Sequence, residues 1–258
     1  MYGGSASQGT PIGIILPDTN YPRIPGDVGN GFTYDFPVRF FVLKGFSPSL
    51  LRKADEEAIS AICDGIEALK SEGCLAVALG FDGFLPYQQE LATLSGVPIL
   101  ASALLQASFA ARMTNSSKKI CILAEDSASV CVADCIGYGL EKDRILVAEM
   151  KKDGAFCKAF SENSESYVYE EVLQDVQKTV LSLVQEHDDI GAIICNSCAF
   201  APFTPAINRA AALPVYDIVT LIHLTSFGLL RGMTSPFRNQ LNGGETATPP
   251  GWGKPFEV

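Results

Sequence analysis

The sequence is short of the residues on which most metal and general acid–base sites depend, with two histidines and one tryptophan in 258 residues. His187 lies in the polar run Glu186-His187-Asp188-Asp189 and His223 in an apolar helical stretch, so neither is a strong candidate for catalysis. Cationic residues are also few. Lys and Arg total 19 against 29 Asp and Glu, a formal net charge of -10, which argues against a nucleic-acid backbone or an anionic membrane as partner. A small anionic substrate stays open, because a local cluster of backbone N–H groups can hold a carboxylate inside an acidic protein. There is no GxGxxG and no P-loop, so no dinucleotide cofactor is expected. No metal site is expected either: Cys195-x-x-Cys198 has no second pair at ligand spacing. No apolar run approaches the length of a transmembrane helix, and Met1–Pro11 reads as a loose polar tail rather than a signal peptide.

What is present is a globular composition, 47% hydrophobic with 19% charged residues, enough chain for one large domain or two lobes. The eight cysteines fall mostly in apolar strand or helix patterns. A disulfide framework belongs to small secreted chains, so a reduced, cytoplasmic protein is expected.

Short apolar strands alternate with amphipathic helices without hairpin signals, the pattern of parallel βαβ units. Strands are predicted at Ile12–Leu16, Pro37–Val42, Cys74–Leu79, Ile99–Ala101, Ile120–Leu123, Ile145–Ala148, Gly191–Cys195 and Leu213–Tyr216. One helix is predicted from Ser47 through Ile66, another over Ser127–Gly139, and a long one over Tyr167–Glu186, with Lys151–Ser166 an irregular linker. The turn-rich passage Tyr21–Tyr34 is long enough to be a binding loop or lid.

The chain also repeats itself. Cys198-Ala199-Phe200-Ala201-Pro202-Phe203 aligns with Asp82-Gly83-Phe84-Leu85-Pro86-Tyr87, and each segment is followed at equal distance by a proline, Pro98 or Pro214, in a short apolar run. The expectation is therefore an α/β protein of two pseudo-symmetric parallel-sheet lobes facing each other across a cleft. Residues 10–113 with 215–235 would form the first lobe, 114–214 the second, and 236–258 an extended arm.

In open α/β sheets, ligands bind at the carboxyl ends of strands. Asp82 and Cys198 both occupy such ends and would face each other from opposite lobes, a pair suited to giving and taking protons. Phe81, Phe84 and Leu85 would raise the Asp82 pKa by desolvation, and a helix N-terminus would lower that of Cys198. The alternatives are plain: Asp82 as a helix N-cap and Cys198 as a small buried hydrophobe. Asp18, Thr19 and Asn20 end the first strand at the cleft mouth. Together with Gly83 they are candidate substrate-binding residues: the turns at Asp18–Thr19 and Asn196–Ser197 would hold the substrate carboxylate, unless Asn196 and Ser197 merely shape their turn. Cys195 is mainly a core residue, and Asp217 ends a strand at the site or caps a helix.

The segments Ile14-Ile15-Leu16-Pro17-Asp18-Thr19, Tyr21-Pro22-Arg23-Ile24-Pro25-Gly26-Asp27-Val28-Gly29-Asn30, Gly83-Phe84-Leu85 and Leu213-Pro214-Val215-Tyr216-Asp217 resemble the aspartate/glutamate/hydantoin racemase superfamily. That superfamily also includes maleate isomerases, arylmalonate decarboxylase and an algal dimethylsulfoniopropionate lyase. The resemblance implies a cofactor-independent isomerase or carbon lyase and a homodimer or higher oligomer. Its substrate would be a small carboxylate-bearing acid, deprotonated next to the carboxylate by two cysteines, one per lobe. Here the first of those positions falls on Asp82, and the second on Ser197 or, with a one-residue slip, on Cys198. The leading expectation is a racemase or isomerase moving a proton at that carbon; the missing thiol makes a one-thiol lyase or decarboxylase the first alternative, and a non-catalytic carboxylate-binding protein the second.

Overall fold

A computed structural model describes residues 11–230 of the chain. Among these residues, eight strands form two four-stranded, wholly parallel sheets of identical strand order. The first sheet, β2-β1-β3-β4, uses β1 (Ile12–Pro17), β2 (Val38–Leu43), β3 (Ala76–Leu79) and β4 (Ile99–Leu100). The second, β6-β5-β7-β8, uses β5 (Lys119–Ala124), β6 (Ile145–Glu149), β7 (Ile190–Cys195) and β8 (Val215–Tyr216). The central strands β1 and β3 are buried along their whole length, as continuous apolar runs covered on both faces must be. The edge strands β2 and β6 are only partly covered.

The repeat seen in the sequence is the register of the sheets. Val77 pairs with Ile99 in the first lobe and Ile193 with Val215 in the second, the same separation that relates Asp82 to Cys198, 116 residues. Val215 and Tyr216 pair with β7 and so lie in the second sheet, and the chain returns to the first lobe only at Asp217. There α9 (Ile218–Leu230) packs Ile218, Leu221 and Ile222 with Ile12, Ile14 and Leu100. The expected arm at 236–258 lies outside the described residues.

Three expected elements differ. The single helix from Ser47 is two: α1 (Pro48–Leu51) stops, Ala54 turns into the left-handed region at φ 48°, and α2 (Glu56–Ser71) starts again. The restart is dictated by Asp55, whose carboxylate accepts the Ala58 N–H at 3.0 Å, an N-cap stronger than the preference for continuing. α2 then buries Ala58, Ile62, Ile66 and Leu69 against the first sheet, followed by α3 (Gln88–Ser95) and α4 (Ala107–Met113). The predicted helix at Ser127–Gly139 is a 3₁₀ turn (Ser127–Ser129) and a short α5 (Val132–Gly137). The expected linker holds α6 (Ala155–Phe160), six residues long and too short for periodicity to reveal. Its Phe156 stacks on Phe200 with ring centroids 4.3 Å apart, between α7 (Tyr169–Glu186) and α8 (Thr204–Ala211).

The Tyr21–Tyr34 passage is a strap laid from the first lobe onto the second. Tyr21 packs edge-on to Phe160 at 5.0 Å, the Tyr167 hydroxyl donates to the Pro22 carbonyl at 3.3 Å, and Gly26, at φ 98°, lies so close to Pro202 that a Cβ would meet its Cα at 3.0 Å. Asp27 ties the strap together by accepting from Arg23 Nη1 and the Gly29 N–H, both at 2.7 Å. Among the described residues no helix is long and apolar enough to cross a membrane.

Candidate active site

The carboxyl ends of β3 and β7 face each other, and the two turns that follow them meet. The Cys198 thiol, from the second lobe, lies 3.7 Å from Asp82 Oδ1 and 3.8 Å from the Leu79 carbonyl, both in the first lobe. Cys198 opens a 3₁₀ helix (Cys198–Phe203) capped by Ser197, whose hydroxyl accepts the Ala199 N–H at 3.3 Å. A cleft of about 580 Å³ runs past this point, lined by Arg52, Asp82, Gly83, Glu125, Asn196 and Ser197 among others. A small chamber of about 20 Å³ shares Arg52, Asp82, Glu125 and Ser197 with the cleft and adds Tyr21 and Cys198. That is room for about one water-sized group.

Glu125, at the end of β5, organises the cleft wall. Its carboxylate accepts from Ser197 Oγ at 2.6 Å, Ser161 Oγ at 2.8 Å and Arg52 Nη2 at 2.9 Å. The Arg52–Glu125 pair joins the two lobes directly.

Burial pushes the Asp82 carboxyl up, as its neighbours Phe81, Phe84 and Leu85 require, and the negative charge of Glu125 adds to it. Arg52, the Ser197 hydroxyl and the Cys198 N–H pull the other way, leaving Asp82 at about 7. Cys198 moves opposite to the sequence expectation. Burial raises its thiol well above the ordinary value, and Asp82 and Asp27 raise it further against the opposing pull of Arg23. A 3₁₀ helix of only six residues does not offset the loss of water. At neutral pH the site therefore pairs a titrating carboxyl with a neutral thiol.

No family model matches the chain. It is 27% identical over 222 residues to a dimethylsulfoniopropionate lyase of Durusdinium sp. clade D, covering 81% of this chain and 71% of that protein. It is also 21% identical over 220 residues to dimethylsulfoniopropionate lyase 7 of Emiliania huxleyi (strain CCMP1516), covering 81% of this chain and 64% of that one. Among solved structures, a cysteine mutant of arylmalonate decarboxylase in its sulfate-associated form superposes with a TM-score of 0.54 at 14% identity, covering 94% of this chain and 97% of that one. Allantoin racemase from Klebsiella pneumoniae does so with a TM-score of 0.51 at 14% identity, covering 86% and 89%. The chain shares the two-lobed α/β fold of these solved enzymes.

Within that fold the candidate residues divide. Asp82, Gly83, Asn196 and Ser197 line the cleft, and Cys198 lines the chamber beside it. The others lie elsewhere. Asp18 turns its carboxylate to the Gly45 N–H at 3.0 Å, which lowers its pKa, with Lys44 nearby. It ties β1 to the loop after β2 and lines neither cavity. Thr19 lines neither, and Asn20 presents its backbone N–H to Asn163 Oδ1 across the lobes at 2.9 Å. Cys195 is buried in the second lobe's core. Asp217 is buried too: it accepts from the Thr220 N–H at 2.7 Å, capping α9, and from Thr204 Oγ1 at 2.6 Å.

Sequence reasoning passed over Arg52, Glu125 and Tyr21. Glu125 carried a signal, because it ends β5 as Asp18 ends β1, and equal weight for the two strand ends would have included it. Arg52 was hidden by reading α1 and α2 as one helix, which leaves it an ordinary surface residue.

Proposed function

We propose that the chain is a cofactor-independent carbon lyase, removing the proton next to the carboxylate of a small acid and expelling a group from the adjacent carbon. The observation that carries this reading is the 3.7 Å contact between the Cys198 thiol and the Asp82 carboxylate. A racemase needs acid and base on opposite faces of one carbon, each within about 3–3.5 Å of it, hence about 6–7 Å apart. Two groups in mutual contact serve one face, and proton removal from one face followed by loss of a neighbouring group is an elimination.

In this reading Asp82 is the base. With a pKa of about 7 it is partly ionised at neutral pH and strong enough to accept a proton from carbon, the balance that general-base catalysis favours. Cys198 donates its S–H to Asp82 and holds the carboxylate in place, and Ser197 supports it from the Glu125 side. The substrate carboxylate binds at Arg52, where cleft and chamber meet. The pair of electrons left on carbon forms the new double bond as the bond to the leaving group breaks, and the proton remains on Asp82.

The cleft wall carries Asp82, Glu125, Asp126 and Glu162 against Arg52 and Lys152, a negative surround that favours a cationic leaving group. The sulfonium of dimethylsulfoniopropionate, the compound in the names of the curated relatives, has that charge, and its elimination would give dimethyl sulfide and acrylate.

The test is NMR in deuterated water over dimethylsulfoniopropionate and a panel of amino, hydroxy and arylmalonic acids. The expected result is release of an unsaturated acid from the sulfonium substrate, abolished by Asp82→Asn. Exchange of the proton next to the carboxylate with loss of handedness and no elimination would replace the lyase with a racemase. Binding of an acid without any exchange would mark a non-catalytic carboxylate receptor.

A further inference from the structure

Tyr21 is a buried polar residue that the scheme above leaves unused. It lies on the strap from the first lobe, yet its ring belongs to the second lobe's core. Phe160 holds it edge-on at 5.0 Å, and the Arg23 guanidinium lies 5.2 Å from its centroid. Arg23 is fixed in turn by Asp27 at 2.7 Å and by Gly29, where any Cβ would collide with the arginine side chain. The ring therefore has little freedom. No hydrogen bond from its hydroxyl to a described residue accompanies these contacts, and the hydroxyl is not among the sealed polar atoms, so it stays open to a group that enters beside it. Tyr21 also lines the small chamber together with Arg52, Asp82 and Cys198.

We propose that the chamber receives one oxygen of the substrate carboxylate and that the Tyr21 hydroxyl is its hydrogen-bond donor. This rests on the lyase reading of the same site. The volume, about 20 Å³, matches one oxygen-sized group. Arg52 is at hand for the carboxylate, and Tyr21 meets the oxygen that enters the chamber. When Asp82 takes the proton from the neighbouring carbon, the electron pair delocalises onto that oxygen. The Tyr21 O–H bond to it shortens but keeps its proton. The pair then returns to form the carbon–carbon double bond as the leaving group departs with its bonding electrons. Burial raises the phenol's pKa, so it stays a donor throughout the working pH range. A donor fixed before the reaction, aimed where negative charge grows, acts mainly on the transition state.

Tyr21→Phe in the full chain keeps the ring contacts to Phe160 and Arg23 and removes only the hydroxyl. With the sulfonium substrate, kcat is expected to fall about 100-fold while KM changes far less, and the thermal midpoint should move by no more than about 2 °C. An unchanged kcat would overturn the role of Tyr21 and leave the lyase reading standing. A second measurement, NMR titration with acrylate, does not depend on turnover. Tyr21→Phe should bind acrylate about 3–10-fold more weakly than wild type, the range for one lost hydrogen bond. If wild type proves inactive on every acid, the lyase reading fails, and the acrylate titration still decides the chamber. Weaker binding by the variant supports it; equal binding, or none by either protein, refutes it.

Discussion

Replacing Asp82 with asparagine should destroy activity and at the same time stabilise the fold at alkaline pH. The folded carboxyl titrates at about 7 against an ordinary value of 3.8, so the folded state holds this proton more tightly than the unfolded chain does. The stability this contributes is present in full below about pH 3.8 and is lost as pH rises through about 7. At pH 8.5 the wild type carries an ionised carboxylate that its fold disfavours, by about 4 kcal/mol if the whole shift is counted. Asp82 is half-buried rather than sealed, and solvent screening reduces that figure to about 1–2 kcal/mol. Asparagine keeps the shape and carries no charge. For a chain of this size the variant should melt about 2–8 °C higher at pH 8.5. The gap should shrink toward zero near pH 4.5, because most of the wild-type loss accrues above that pH. Thermal or urea unfolding of both proteins at the two pH values isolates the effect, since every other titrating group is common to both. A variant no more stable than wild type at pH 8.5, or a gap that does not change with pH, would refute the argument that burial sets the Asp82 pKa.

The remaining predictions concern the neighbours of that carboxyl and the joint between the lobes. Glu125→Gln removes a negative charge that raises Asp82, so the acidic limb of kcat/KM against pH should move down by about one unit; Arg52→Met removes the opposing positive charge and should move it up. Shifts in the same direction for both variants would disprove the electrostatic account. Arg144→Met should destabilise the chain by about 2–4 kcal/mol in urea unfolding without moving that pH profile. The buried guanidinium donates to the carbonyls of Lys118, Ala111 and Asn115 and to the Thr114 hydroxyl, clasping the segment where the chain leaves the first lobe.

Much of the architecture is legible in the sequence because parallel strands buried on both faces must be continuous apolar runs, and Ile12–Pro17, Ala76–Leu79 and Ile190–Cys195 have little else they can be. The duplication is legible for a related reason. An equal spacing from Asp82 to Pro98 and from Cys198 to Pro214 is a statement about strand–turn–helix–strand lengths, and those lengths fix sheet register. The short elements were not legible: α6 has only six residues, and the break between α1 and α2 turns on one left-handed Ala54 and the cap at Asp55.

The sequence by itself determined two equivalent lobes and placed Asp82 and Cys198 at matching strand ends, because both follow from local patterns of burial and spacing. Only the tertiary structure decided that these two groups touch rather than flank a gap, that Asp18 and Asp217 turn their carboxylates to other partners, and that Arg52, Glu125 and Tyr21 line the same cavities. It also reversed the expected direction for the Cys198 thiol. Contact distance and desolvation arise from how two lobes pack, and residues 73 positions apart such as Arg52 and Glu125 meet only after that packing is complete.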